Sequence, residues 1–133
     1  MTISKSEVNQ PDVVAELREL YPRYEKALVA NDVDTLVAIF WSSRDVVRFG
    51  VAENLYGHQE LEAFRKSRPS VGLTRIVKRL EIMAFGCDFG SITLEFERDT
   101  PKGKVSGRQS QVWVRFPDGW RIVSAHVSLL PTA

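Results

Sequence analysis

Four arginines are placed to hold a small anion, three of them where the surrounding pattern is apolar. Arg48 lies in DVVRFG (45–50), which alternates as a short strand, with Val47 and Phe49 on one face and Val46 and Arg48 on the other. Arg65 and Arg68 fall at helical spacing from Leu61 and Phe64 in a segment running from His58 to Arg68. Two cations therefore share the stripe that faces the core. Arg108 alternates with Ser110 and, across a hairpin, with His126. A guanidinium is planar, permanently charged and forked, so it grips a carboxylate through paired hydrogen bonds. A set of them fixed around a cavity recognises a small organic anion and stabilises charge developing on it. Each residue also has an ordinary explanation. An arginine beside apolar strand residues is an edge residue as readily as a buried ligand-binder. Arg65 and Arg68 can pass the core edge and reach water. A lone strand histidine is more often a hydrogen-bonded core residue than an acid or base.

Other chemistries find no support. His58 and His126 are the only histidines, and their spacing matches no zinc site. Cys87 sits in a turn with no base nearby in sequence. The glycines are scattered and form neither a phosphate loop nor a dinucleotide fingerprint. A formal net charge of +1 favours neither nucleic acid nor a membrane surface. No apolar run reaches the length of a membrane span. The polar start, MTISKSEVNQP, lacks the apolar centre of a signal peptide, and one cysteine fits a reducing compartment, so a cytoplasmic location is expected. With 133 residues, 44% hydrophobic and 26% charged, the chain suits one globular domain. That domain is expected over 11–133, after a loose lead of ten residues.

The elements that must position these residues centre on 104–130, KVSGRQSQVWVRFPDGWRIVSAHVSLL. Pro117-Asp118-Gly119 is turn chemistry between two apolar-rich runs, which makes a β-hairpin. With Phe116 opposite Trp120, counting outward in twos pairs Val114 with Ile122, Val112 with Ser124, Ser110 with His126 and Arg108 with Ser128. One face is then apolar near the turn and polar beyond it, the makings of a pocket floor with Arg108, Ser110 and His126 at its polar end. The other face carries Trp113, Val123, Ala125 and Val127 with Gln109 and Gln111. It predicts a covered sheet back, and hence a homodimer.

Upstream, Val13, Val14, Leu17, Leu20, Tyr21, Tyr24, Ala27 and Leu28 recur at helical spacing from Pro11 to about Ala30. Pro22 predicts a kink or break near Leu20. Asn31-Asp32 ends this helix and caps a second, Val33 to Trp41. Glu53 to Gly57 reads as a turn into the His58–Arg68 helix, and 69–72 as a loop. Thr74 to Ala84, with Ile76, Leu80 and Ile82 in step, and Phe89 to Arg98 read as strands before the hairpin. Helices gathered early and a meander late predict an α+β fold with the helices on one sheet face.

This order, with the C-terminal GWRIVSAHVS, resembles the nuclear-transport-factor-2-like (SnoaL-like) fold, a cone-like curved antiparallel sheet wrapped around an N-terminal helix. Within it, RYEKALVANDVDTL, VVRFGVAENLYG, FRKSRP and GRQSQVWVRFPDGWRIVSAHVS resemble the AtzH-like or HpxZ-like proteins of bacterial nitrogen catabolism. The resemblance implies conversion of 1,3-dicarboxyurea to allophanate in cyanuric acid breakdown, or a place in oxalurate use. It further implies a catalytic pair of Tyr24 and Arg48, with no cofactor or metal, and an amidase as functional neighbour. On this reading Arg65, Arg68, Arg108, Ser110 and His126 complete the substrate pocket. A tyrosine on an apolar helix stripe is, by itself, most often a core residue with its hydroxyl at the edge. The competing function is a non-catalytic binding or scaffold subunit of an amidase system, since the same fold serves as an oligomerising hub. Proton transfer of the ketosteroid-isomerase kind ranks last, because it needs a carboxylate base inside the cone.

Overall fold

The computed structural model describes residues 2–69 and 73–131. In chain order they form α1 (Pro11–Ala30), α2 (Val33–Ile39), β1 (Val47–Phe49), β2 (Asn54–Tyr56), α3 (His58–Ser67), β3 (Ile76–Phe85), β4 (Phe89–Thr100), β5 (Gly103–Phe116) and β6 (Gly119–Leu129). The strands make one sheet in the order β2-β1-β6-β5-β4-β3. Neighbours are antiparallel except β1, which runs parallel to β6. The helices cover one sheet face, as α+β patterning predicts. No helix among the described residues is long and apolar enough to cross a membrane. Of the loop expected over 69–72, residues 70–72 lie outside the described residues.

The first helix is not broken at Pro22. It runs twenty residues from Pro11 to Ala30. Pro22 is exposed, so its ring lies on the solvent side, where water can serve the carbonyl that has lost its helical partner. The buried side of the next turn is tied down: Tyr21 Oη donates to Glu25 (2.6 Å), and Glu25 receives Arg75. Asn31 ends the helix in the left-handed conformation (φ 52°), and Asp32 caps α2 by accepting from the Thr35 amide (3.2 Å). α2 stops at Ile39 rather than Trp41, because Phe40 leaves it to bridge Ile122 and the Trp41 amide donates to the Ile122 carbonyl.

The hairpin forms, but its faces are reversed from expectation. Arg108, Ser110 and Val112 pair with Ser128, His126 and Ser124 as counted. A bulge between Val112 and Trp113 then shifts the register, and Trp113 rather than Val114 meets Ile122. The face carrying Gln109, Gln111, Trp113 and Ala125 turns inward and is buried beneath the chain's own helices. The back surface expected to be covered by a second subunit is therefore the core. Arg108, Ser110 and His126 lie on the outer, exposed face. Alternation fixes which residues share a face, not which face meets the helices, and the bulge carries Trp120 and Ile122, counted onto the face of Ser110 and His126, over to the inner face beside Trp113.

Three smaller differences follow from local chemistry. Residues 54–56, read as part of a turn, form edge strand β2 against β1. A bulge between Val77 and Arg79 puts Ile76 out of step with Leu80 and Ile82, leaving it exposed. The lead read as loose is tied to β3 from Lys5 onward: Val8 bridges Phe85, and Asn9 exchanges two hydrogen bonds with Ala84, one from its backbone amide and one to its side-chain oxygen.

Gly107 shows how tightly the inner face is filled, since a Cβ there would overlap the Phe96 ring. Gly107→Ala is expected to lower stability by about 1–3 kcal/mol through overpacking, read as a fall in the denaturant midpoint at constant slope.

Candidate active site

One end of the inner face is left open as a cavity of about 310 Å³. α1 contributes Tyr24, β1 contributes Arg48, and the β1–β2 connection contributes Glu53. α3 adds Phe64, the residue that ends it adds Arg68, the segment before β3 adds Arg75, β4 adds Arg98, and β5 adds Gln109. Arg65, one residue along α3, lies behind this lining against Tyr24 and is 0% exposed.

Arg75 has hydrogen-bond partners at two of its three guanidinium nitrogens. Its Nε donates to Glu25 Oε2 (3.0 Å), and its Nη2 reaches Glu25 Oε1 (2.9 Å) and Gln109 Oε1 (2.9 Å). Its guanidinium lies 4.5 Å from the centre of the Phe96 ring. Because Arg75 claims the Gln109 carbonyl, the Gln109 amide group must face the other way, and it donates to Tyr24 Oη (2.9 Å). Arg48 is partly partnered: Nη1 donates to Glu53 Oε1 (2.8 Å), while its buried Nε has no partner. Arg65 has none, and all three of its guanidinium nitrogens are buried without a hydrogen bond. The Phe64 ring lies within 6 Å of three guanidinium carbons, those of Arg48 (5.4 Å), Arg65 (5.9 Å) and Arg68 (5.8 Å).

Burial alone would push the Tyr24 hydroxyl up. The fields of Arg65, Arg48 and Arg75, with the Gln109 hydrogen bond, outweigh it and hold the hydroxyl below the usual phenol range. Burial pushes the Arg65 guanidinium down to about 10, Tyr24 opposing and Arg48 and Arg68 adding to the fall, so Arg65 stays charged at neutral pH. Tyr21, one turn before Tyr24, goes the other way. Its burial, reinforced by Glu25, raises it against the pull of Arg75. Two tyrosines on one helix face are thereby driven apart, the pattern of a site with one reactive hydroxyl and one inert one.

Of the residues singled out by sequence, Tyr24, Arg48, Arg65 and Arg68 converge here. Arg108, Ser110 and His126 do not. They line a groove of about 520 Å³ on the outer sheet face with Arg79, Glu81 and Glu95. His126 packs edge-on against Phe49 there, with ring centres 5.7 Å apart. Sequence reasoning missed Arg75, Gln109, Glu53 and Arg98. Gln109 left a signal: a polar residue in step with Trp113 and Ala125 on a face that proves buried must have a partner. Glu53 sits in a connection, where periodicity carries no information, and Arg75 fell in the run read as a strand from Thr74, whereas β3 begins only at Ile76.

The sheet, its covering helices and the cavity between them define a nuclear-transport-factor-2-like, cystatin-like domain. A nuclear-transport-factor-2-like protein from Salmonella enterica, 22% identical, matches 92% of this chain and 94% of its own with a TM-score of 0.73, which shows the fold. A family model described as AtzH-like matches residues 6–133, and the chain belongs to the AtzH-like family. A protein of unknown function from Pectobacterium atrosepticum is 45% identical over 98% of this chain and 100% of its own, with a TM-score of 0.93. A cystatin-like fold protein from Burkholderia xenovorans is 42% identical over 96% and 98%, with a TM-score of 0.88. No curated protein matches the chain.

Two outcomes are expected. Binding of malonate, measured by calorimetry, should be lost in Arg48→Ala and unchanged in Arg108→Ala, which alters only the outer face. The second concerns stability against pH. Tyr24 ionises more easily folded than unfolded, so between its lowered folded value and the ordinary 10.0 the unfolded chain holds more protons and stability rises with pH. The stability of wild type relative to Tyr24→Phe should therefore widen through that window, level off above it, and fall back as pH drops through the folded value. A gap independent of pH would show that the arginines do not act on Tyr24.

Proposed function

We propose that this protein is a small enzyme that removes a carboxylate from the nitrogen of a urea-like acid, of the 1,3-dicarboxyurea-to-allophanate type. The observation that carries this is the convergence of Arg48, Arg65 and Arg75 around the buried Tyr24 hydroxyl, which lines one cavity with Arg48 and Arg75. Such a substrate is a compact dianion, and Arg48 and Arg68, both in the cavity lining, offer it guanidinium groups. Membership of the AtzH-like family supports the choice of substrate class.

In the reaction, the bond between nitrogen and the departing carboxylate carbon breaks. Its electron pair passes to nitrogen and carbon dioxide leaves. Tyr24 delivers a proton to that nitrogen, so the conversion of dicarboxyurea to allophanate consumes one proton in all. Arg48 holds the charge that gathers on the urea oxygen as the bond lengthens. Glu53, already paired to Arg48, stops the cation from collapsing onto other groups before substrate arrives.

Freshly made dicarboxyurea should be converted to allophanate well above its spontaneous rate of decay. Tyr24→Phe should lose about 100-fold or more in kcat with the fold intact, because it deletes one hydroxyl and keeps the ring. Arg48→Lys should lose about 100-fold, since lysine keeps the charge but not the fork. Wild-type turnover no faster than background would remove the enzymatic reading and leave an anion-binding subunit. Full activity in Tyr24→Phe would place the proton donor elsewhere.

A further inference from the structure

The most exacting feature of the cavity region is Arg65. A guanidinium with no exposure and no hydrogen bond is a costly object, for a buried ion without compensation is disfavoured by several kcal/mol. Something close by must supply negative charge. The groups that face the Tyr24 oxygen and its arginines can be named element by element. From α3 comes Arg65, and from the residue that ends it Arg68; from β1, Arg48; from the β1–β2 connection, Glu53; from the segment before β3, Arg75; from β4, Arg98; from β5, Gln109; and from α1 itself, Tyr21 and Glu25. Of the two carboxylates, Glu53 is engaged by Arg48 and Glu25 by Arg75. The acidic group left beside Arg65 is the Tyr24 hydroxyl.

The hydrogen bonds around Tyr24 point the same way. Arg75 fixes the Gln109 carbonyl, so the Gln109 amide donates to the Tyr24 oxygen. Arg65, its other polar neighbour, can only donate. Among the described residues no group accepts a hydrogen from Tyr24. An oxygen surrounded by donors and cations, with nothing to receive its proton, is built to be an anion.

We propose that Arg65 is a positioning residue whose counter-ion is the Tyr24 oxygen, so that Tyr24 rests as a phenolate and takes up a proton when a carboxylate anion enters the cavity. The incoming anion supplies the negative charge that the arginines had drawn from Tyr24. The phenolate then binds a proton from solvent or buffer and becomes a neutral hydroxyl, with no other bond made or broken. This rests on the proposed function in one respect: the proton loaded on binding is the one that removal of a carboxylate consumes. The resting state and the proton uptake do not require turnover, so they can be tested without it.

The probe is malonate, an unreactive dicarboxylate, titrated into the full chain by calorimetry in buffers of differing ionisation enthalpy. At mildly alkaline pH the wild type should take up about one proton per site on binding. The tyrosinate absorption of the free protein should fall in step. Tyr24→Phe should lack both signals. Arg65→Met should fold, since an apolar side chain replaces a buried ion. It should lose the resting tyrosinate band and the proton uptake, while Arg65→Lys restores part of each. Malonate binding with no proton uptake, failure of malonate to bind, or unchanged uptake in a folded Arg65→Met would each overturn the proposal. If Arg65→Met does not fold, the wild-type and Tyr24→Phe signals decide it alone. Proton uptake without turnover of dicarboxyurea would defeat the catalytic reading and leave the role of Arg65 standing; turnover without uptake would do the reverse.

Discussion

Keeping positive charge inside a small domain is the constraint on which the rest of this structure depends. Each guanidinium withdrawn from water needs hydrogen bonds and countercharge, or the fold loses several kcal/mol. Three solutions are present side by side. Arg75 is given a bidentate carboxylate, an amide oxygen and an aromatic face. Arg48 shares one carboxylate and keeps a nitrogen free. Arg65 receives a tyrosine. This gradient, from most to least compensated, separates a structural cation from two that have capacity left for a ligand.

Much of the scaffold answers to these charges. Glu25 must face Arg75 for that arginine to be buried, which requires α1 to continue past Pro22 without losing its phase. The Tyr21–Glu25–Arg75 chain spans that turn. Gln109 must face inward to orient Tyr24, which sets the inner face of β5. That face is filled by Trp113 further along and narrowed to Gly107 beneath Phe96. The aromatic rings that seal the cavity are also the ones that meet guanidinium faces, so apolar packing and charge placement use the same atoms.

The sequence made some of this legible and left the rest hidden. Helical periodicity placed Tyr24 on the buried stripe of α1, and strand alternation placed Arg48 on one face of β1 with Val46, the face that proves to be buried. The unusual pairing of Arg65 and Arg68 with Leu61 and Phe64 marked α3 as more than a covering helix. Three site residues on the hairpin were misplaced for a physical reason: period-two alternation is symmetric, and only the helices break the symmetry. Arg108, Ser110 and His126 were chosen because their polarity seemed to need a pocket, when exposure suits them as well. The polar pair Gln109 and Gln111, on the face rich in Trp and Ala, was the better sign of a buried site. Glu53 lay in a connection and Arg75 in a run read as strand, and both could be located only by the tertiary structure.

The parallel pairing of β1 with β6 has a bearing on how the molecule comes into being. β1 carries Arg48 near the front of the chain, and its partner is the last strand. A hairpin can zip from its turn, but this pairing closes a loop of most of the sequence, and such closure is slow because chain entropy is spent before any contact forms. Tyr24 and Gln109, which meet across the same span, share that delay. The meander of β3 to β6 can form locally and early, without Tyr24 or Arg48 in place. Cation and phenol are thus brought face to face only when the two ends of the chain are joined, so a partly folded molecule carries no working fragment of the site.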